Sequence, residues 1–446
     1  MFVIDISFII IYLATFVATI FLLHRAGIRL FSVTLPSVAI GSMFIFSFVG
    51  LISLYFQFNE YTYSTNEMEI HLLLLLINSY CLITMSLSFV WANRLLGFKV
   101  KNNIGNIKPL NNIEKKFIIF TFVVCVSVLL LYLSKVPKIA IVTAILDGAN
   151  EAKLDRSLMT NDFAGKLHRY NIFMISLSQI VAFTTLTNYL LTRKKSDFIL
   201  FIASFCVSGF AAVMSTQKGP FIIYILALFL TWCIITKRGI IPIKGIVFMG
   251  GISICILISF YIFFMGSSSI DKALLGMFNR AFCGEIIPAY HYLKIFPEEI
   301  PFLNGSTFPN PAGIMPYKPF RLTVEVMYKI HPELVRLGIV GSMPTAFWGE
   351  AYANFGWFGI ALTPIFLGLF IFILNSVLLK LADGCIKIAY IAYLSVRYIS
   401  VGTSGIFGFV FDDKIIILVI FYFIYQVICH PVWKSKSLNK RIYILR

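Results

Sequence analysis

Apolar residues in this chain come in long runs, separated by short clusters of charged and turn residues. A helix needs roughly 20 such residues to cross about 30 Å of hydrocarbon, and that length recurs along the sequence. The pattern predicts eleven membrane-spanning helices, over 3–23, 36–56, 70–91, 117–134, 169–192, 197–215, 219–236, 243–265, 345–379, 386–401 and 414–430. The run at 345–379 is long enough to include a kinked or interfacial part, expected at Pro364. The predicted fold class is all-α integral membrane, a single polytopic unit over residues 1–446.

The polar stretches between the runs alternate in character. Arg25/Arg29, 94–116, Arg193 to Lys195, 237–244, Lys380/Lys387 and 434–446 hold 21 Lys and Arg against the three acids Glu114, Asp197 and Asp383. Basic loops stay in the cytoplasm, so these share the inner face, with the N-terminus outside and the C-terminus inside. Loops 57–69, 135–168, 266–344 and 402–413 then face outward. The remaining residues are close to neutral, with 16 bases and 17 acids, so the net charge of +17 is topological and does not argue for nucleic-acid binding. The inner connections are too short for a nucleotide-binding domain, and neither a P-loop nor a dinucleotide fingerprint is present.

Two outward loops stand apart. Residues 135–168 open with an apolar piece and continue with closely mixed charges, which predicts an interfacial helix followed by a polar segment. Residues 266–344 carry eight of the sixteen prolines between Pro288 and Pro332 alone, too much length and punctuation for a connector, and are expected to form a lid or site wall.

Composition agrees with a bilayer as solvent, at 59% hydrophobic and 13% charged. Most of the eight cysteines fall inside apolar runs without C-x-x-C spacing, which suits helix packing better than disulfides. The first apolar run lacks a basic leader and is read as the first span, not as a removable signal. No D-x-D lies in an outward loop and the six histidines are scattered, so neither a metal nor another cofactor is expected. Glu67/Glu69 and Asp412/Asp413 read as solvated loop faces. The outward cations are Arg156, Lys166, Arg169, Lys218, Arg280, Arg321, Arg336 and Arg397. Arg397 interrupts an apolar run, where a charge costs about 2.5–3.5 kcal/mol unless it faces a cavity or snorkels.

The stretch GSMPTAFWGEAYANFGWFGI, residues 341–360, resembles a signature of the Wzy-type bacterial oligosaccharide repeat-unit polymerases of O-antigen and capsule synthesis. NRAFCGEIIPAYHYLKIFPEEIPFLNGSTF at 279–308 is similar to their large outward loop, and MSTQKGP at 214–220 to a short outward turn that carries a base. An R-x10-G spacing described for some members is absent from the two large outward loops, so roles tied to it do not transfer. The resemblance implies a GT-C-like glycosyltransferase core of membrane helices. It also implies transfer of a growing glycan from polyprenyl diphosphate to a new lipid-linked repeat unit, with membrane lipids, a flippase and a chain-length regulator as partners.

On that basis Glu350 is the candidate base, with Glu285, His291, Glu325 and His331 as alternatives. Arg280 is the leading candidate for the diphosphate, joined by Lys218, Arg156, Arg169, Arg321 and Arg397. Tyr352 and Asn354 are candidates to hydrogen-bond sugar hydroxyls. An O-antigen ligase would share this plan. A flippase would instead show two related halves, a charged central cavity and short loops.

Overall fold

The computed structural model describes residues 2–57, 65–95, 107–160, 163, 165–265, 278–310, 313–336, 341–410 and 412–430. Regular structure among them is helical, apart from one isolated antiparallel bridge between Ser32 and Ile240. A helix pairs its backbone groups within its own segment, as hydrocarbon demands. Among the described residues, nine helices are long and apolar enough to cross a bilayer. They are Asp5–Arg25, Leu35–Tyr55, Met68–Leu95, Asn112–Leu133, Leu167–Thr192, Lys195–Val213, Lys218–Thr236, Phe347–Leu379 and Cys385–Gly402. The chain is therefore a multi-pass membrane protein. The expected spans 243–265 and 414–430 fall on two further helices, Ile243–Met265 and Asp413–Cys429, outside those nine.

Leu167–Thr192 and Cys385–Gly402 form the centre. Their most apolar windows are 78% and 83% buried in protein, against 22% for Asp5–Arg25, which leaves that helix largely to lipid. Centrality explains why hydroxyls are tolerated there: Thr184 and Thr187 donate to the carbonyls of Ile180 and Phe183, at 2.7 and 2.8 Å, and Thr185 pairs with Ser204 at 2.7 Å. Small residues set the approach of other helices. At Gly368 a Cβ would stand 2.7 Å from the Cβ of Ser88 and 3.0 Å from the Met85 carbonyl, so Phe347–Leu379 and Met68–Leu95 pack nearly backbone to backbone.

The ends on the expected inner side are tied by polar groups. Asn111 caps the Asn112–Leu133 helix, and Glu114 returns the bond to the Asn111 amide at 2.7 Å. The second Glu114 oxygen accepts from Tyr425 at 2.5 Å, which attaches Asp413–Cys429. Lys115 and Asp197 meet at 2.8 Å and attach Lys195–Val213.

On the other side, the apolar piece is helix Ala140–Leu146 and the polar segment after it is itself helical, Ala149–Met159, the two forming a helical hairpin. It is sewn to the bundle by Tyr132 donating to the Met159 carbonyl at 2.6 Å and by the Ile141 amide donating to the Met214 carbonyl at 3.0 Å. Within the large loop, helix Ile286–Ile295 is buried along most of its length and wedges between Met68–Leu95 and Phe347–Leu379. This helix of the loop is thus core.

The break in backbone dihedrals inside Phe347–Leu379 lies at Gly356, at φ 59°, ψ −140°, while Pro364 sits inside the helix further on. Proline keeps a helical φ while it forfeits one bond and crowds the preceding turn. Gly356 adopts a conformation nearly closed to other residues, with the Phe302 ring 2.9 Å from where a Cβ would be. The break folds the first turns, which carry Glu350, against the large loop.

Candidate functional site

A cavity of about 370 Å³ opens where the large loop, the start of Phe347–Leu379 and the 402–410 turn meet. Arg321, Glu350, Thr307, Thr323, Thr345 and Ser404 give it a guanidinium, a carboxylate and four hydroxyls. The scaffold is mostly backbone. Thr345 donates to the Glu285 carbonyl at 2.8 Å, fixing the chain as it enters the helix. Tyr292 donates to the Met343 carbonyl at 3.0 Å, and the Met343 amide donates to the Thr323 carbonyl at 2.9 Å. Burial first, and then the nearby Glu350 and Glu285 carboxylates, push the Tyr292 phenol up, so it serves as a neutral donor. Arg321 stands at the N-terminal end of helix Leu322–Ile330, and the Phe320 amide just before it is held by the Ser306 carbonyl at 2.8 Å.

Glu350 is held by the 402–410 turn, where the Phe407 amide donates to its Oε2 at 3.2 Å. A side chain at residue 405 would destroy this arrangement, because a Cβ there would lie 2.2 Å from Oε2.

Asn354 and Tyr352 shape the site from behind. Asn354 is fully buried, and its Oδ1 accepts the Gly305 amide at 2.9 Å. Its Nδ2 donates to Thr307 Oγ1 and to the Glu350 carbonyl, both at 2.8 Å. Tyr352 donates to the Phe296 carbonyl at 3.0 Å and packs edge-on against Phe302 and Trp357. The polar atoms of both residues are thus engaged by protein, and neither residue lines the cavity.

Arg397 does not line the cavity and forms an ion pair with Asp412. Asp412 in turn corrects its reading as a solvated face. Its side chain is only 5% exposed, and it also caps Asp413–Cys429 through the Lys414 amide at 3.0 Å. The pair brackets the 402–410 turn. Glu67, by contrast, is half exposed and pairs with Lys294.

Lys218, Arg156 and Arg169 lie apart from the cavity. Lys218 opens helix Lys218–Thr236, while Arg156 and Arg169 are exposed on the helical hairpin and on Leu167–Asn171. Arg280 belongs to the tight π-turn Asn279–Cys283, and its side chain lies outside the described residues. His291 is buried on Ile286–Ile295, and burial, reinforced by His331 and Lys294, lowers its pKa to about 4, so it is neutral at physiological pH. No group of three His, Cys, Asp or Glu suited to a metal occurs among the described residues.

Sequence reasoning did not single out Thr307, Ser404 or Gly405. The one visible signal was the spacing of Gly402, Gly405 and Gly408 in an outward turn. Comparison with protein-family models, curated proteins and solved structures finds no match to this chain.

Proposed function

We propose that the chain is a glycosyltransferase that joins polyprenyl-diphosphate-linked oligosaccharide repeat units into surface polysaccharide, O-antigen or capsule, on the outer face of the bacterial cytoplasmic membrane. The reading includes eleven spans in a GT-C-like core, an outer N-terminus and an inner C-terminus. The observation that carries it is the meeting at Glu350 of the large loop and the 402–410 turn, both on the near-neutral side of the charge pattern, around a cavity that Arg321 also lines.

In this reading the acceptor hydroxyl gives its proton to Glu350 as its oxygen attacks the anomeric carbon of the donor glycan. The anomeric C–O bond to the diphosphate breaks, and its electron pair leaves on the carrier diphosphate. Arg321 meets that charge, because a fixed guanidinium stabilises phosphate oxygens without a metal, and Arg280 and Lys218 are the further candidates for that role. Arg156 and Arg169 hold the carrier at the membrane surface.

The test is reconstitution of the purified protein in vesicles with a lipid-linked repeat unit. A ladder of lipid-linked oligomers and release of free polyprenyl diphosphate are expected. Movement of the unlengthened unit across the bilayer would replace this reading with a flippase. Transfer of glycan only to a different lipid acceptor would make the chain a ligase.

A further inference from the structure

We propose that the paired loops 26–34 and 237–242 form a binding site for the headgroup of an anionic phospholipid, on the face that the charge pattern assigns to the cytoplasm. Each loop is a short return between two helices, one between Asp5–Arg25 and Leu35–Tyr55, the other between Lys218–Thr236 and Ile243–Met265. An antiparallel bridge between Ser32 and Ile240 joins them. The Val33 amide donates to the Gly239 carbonyl at 2.8 Å, and the Ile241 amide donates to the Phe31 carbonyl at 2.9 Å. Arg29, Lys237 and Arg238 all lie within three residues of that bridge, and all three are exposed. The pairing thus collects like charges from distant parts of the sequence.

Neither loop contains an acid. Among the described residues none of the three bases forms an ion pair, and Lys237 stands over the Trp232 ring at 5.9 Å. The backbone beneath them is pinned. The Ser32 and Ser37 hydroxyls donate to the Arg29 carbonyl at 2.6 and 2.8 Å, and the Lys237 and Gly239 amides donate to the Cys233 carbonyl at 2.9 and 3.1 Å. Loops fixed in this way cannot separate to relieve the repulsion among their bases, so an anion seated between them stabilises the fold. Phe31 and Ile240, 50% and 44% exposed, flank the same bridge. Apolar surface beside clustered bases at the ends of membrane helices fits a phosphodiester headgroup with its acyl chains below. The site is independent of the reaction proposed above.

The experiment is native mass spectrometry of the full-length protein in detergent, titrated with phosphatidylglycerol or phosphatidylcholine. Phosphatidylglycerol should bind more tightly. Each surface Lys or Arg is worth about a fivefold change in affinity for anionic lipid, so Arg29→Gln/Arg238→Gln should weaken phosphatidylglycerol binding by about 25-fold. Arg238→Gln alone should weaken it about fivefold, and it carries the test if the double variant does not accumulate. Arg193→Gln/Lys194→Gln/Lys195→Gln neutralises another exposed basic turn on the same face and should leave binding nearly unchanged. Parent-like binding by the Arg238 variants overturns the proposal. An equal loss in the triple variant also overturns it, because the effect would then be one of overall charge. Displacement of the lipid by millimolar inorganic phosphate would make the cluster a site for a free anion and remove the lipid as its occupant.

Discussion

The Phe407 amide donates to the Glu350 carboxylate at 3.2 Å, joining a helix start to a turn 57 residues further along the chain. The turn can come this close because residue 405 is glycine; a methyl group there would stand 2.2 Å from Oε2 and 2.6 Å from Cδ of Glu350. Gly405→Ala is therefore expected to push the carboxylate out of place and reduce the elongation rate about 100-fold while the protein still accumulates in membranes. Glu350→Gln is expected to reduce it by about 10² to 10⁴, the usual range for a lost general base. Both changes act on one group, so the double variant should be no slower than Glu350→Gln alone. Multiplying losses in purified protein would show that Gly405 acts through something else.

Arg397 and Asp412 give a prediction of the opposite kind, structural instead of catalytic. Their side chains are 28% and 5% exposed, so removing the arginine strands a buried charge, which costs about 3–5 kcal/mol for a fully buried pair and less here. Arg397→Ala should lower the thermal midpoint of the detergent-solubilised protein. Adding Asp412→Asn should recover part of the loss, since asparagine removes the stranded charge and still accepts the Lys414 amide. A loss of activity with an unchanged midpoint and no recovery would return Arg397 to the substrate.

These two pairs show what a single sequence does and does not disclose here. Span after span was legible because hydrocarbon imposes a length and an apolar composition on each segment separately. The bend in Phe347–Leu379 was not, because it depends on Phe302 packing on Gly356, whereas the sequence offers the more familiar Pro364. Asp412 looked solvated because its partner lies a turn away in another helix. Glu350 and Arg321 drew notice as charges in outward, family-like or Pro-rich sequence, and both line the cavity. Thr307 and Gly405 carry no charge, and their role exists only once two loops meet. Asn354 and Tyr352 drew notice as sugar-binding types, yet nothing local could reveal that their polar atoms face the protein.

His291 makes stability depend on pH. Its pKa falls from 6.5 to about 4 in the fold, mainly through burial and then through His331 and Lys294. The unfolded chain therefore binds the proton more readily. The contribution of neutral His291 is fully present above about pH 6.5 and is lost as pH falls toward 4, by about 2 kcal/mol between pH 7 and pH 5. Thermal unfolding in detergent should show a lower midpoint at pH 5, and His291→Gln should flatten that dependence. An equal slope in both proteins would assign the acid sensitivity to another group.

Arg321 is the described cation of the cavity wall, so it carries the sharpest test of the diphosphate assignment. A guanidinium can meet two phosphate oxygens at once, whereas an ammonium is a point charge. By analogy with donors that stabilise a developing anion, Arg321→Ala should cost about 2.7–4 kcal/mol of barrier, a fall of roughly 10² to 10³ in elongation rate. Arg321→Lys should recover only part, because it keeps the charge and loses the fork. The side chain is exposed and sits at the N-terminal end of Leu322–Ile330, where a cation does nothing for the helix dipole, so neither variant should change abundance or thermal midpoint. The two readings separate by substrate: loss of a diphosphate contact should slow elongation on lipid-linked units, while loss of a sugar contact should also weaken binding of the free, carrier-less repeat oligosaccharide. Full-rate elongation by Arg321→Ala would move the leaving-group role to Arg280 or Lys218, and the same assay on those two variants would decide between them.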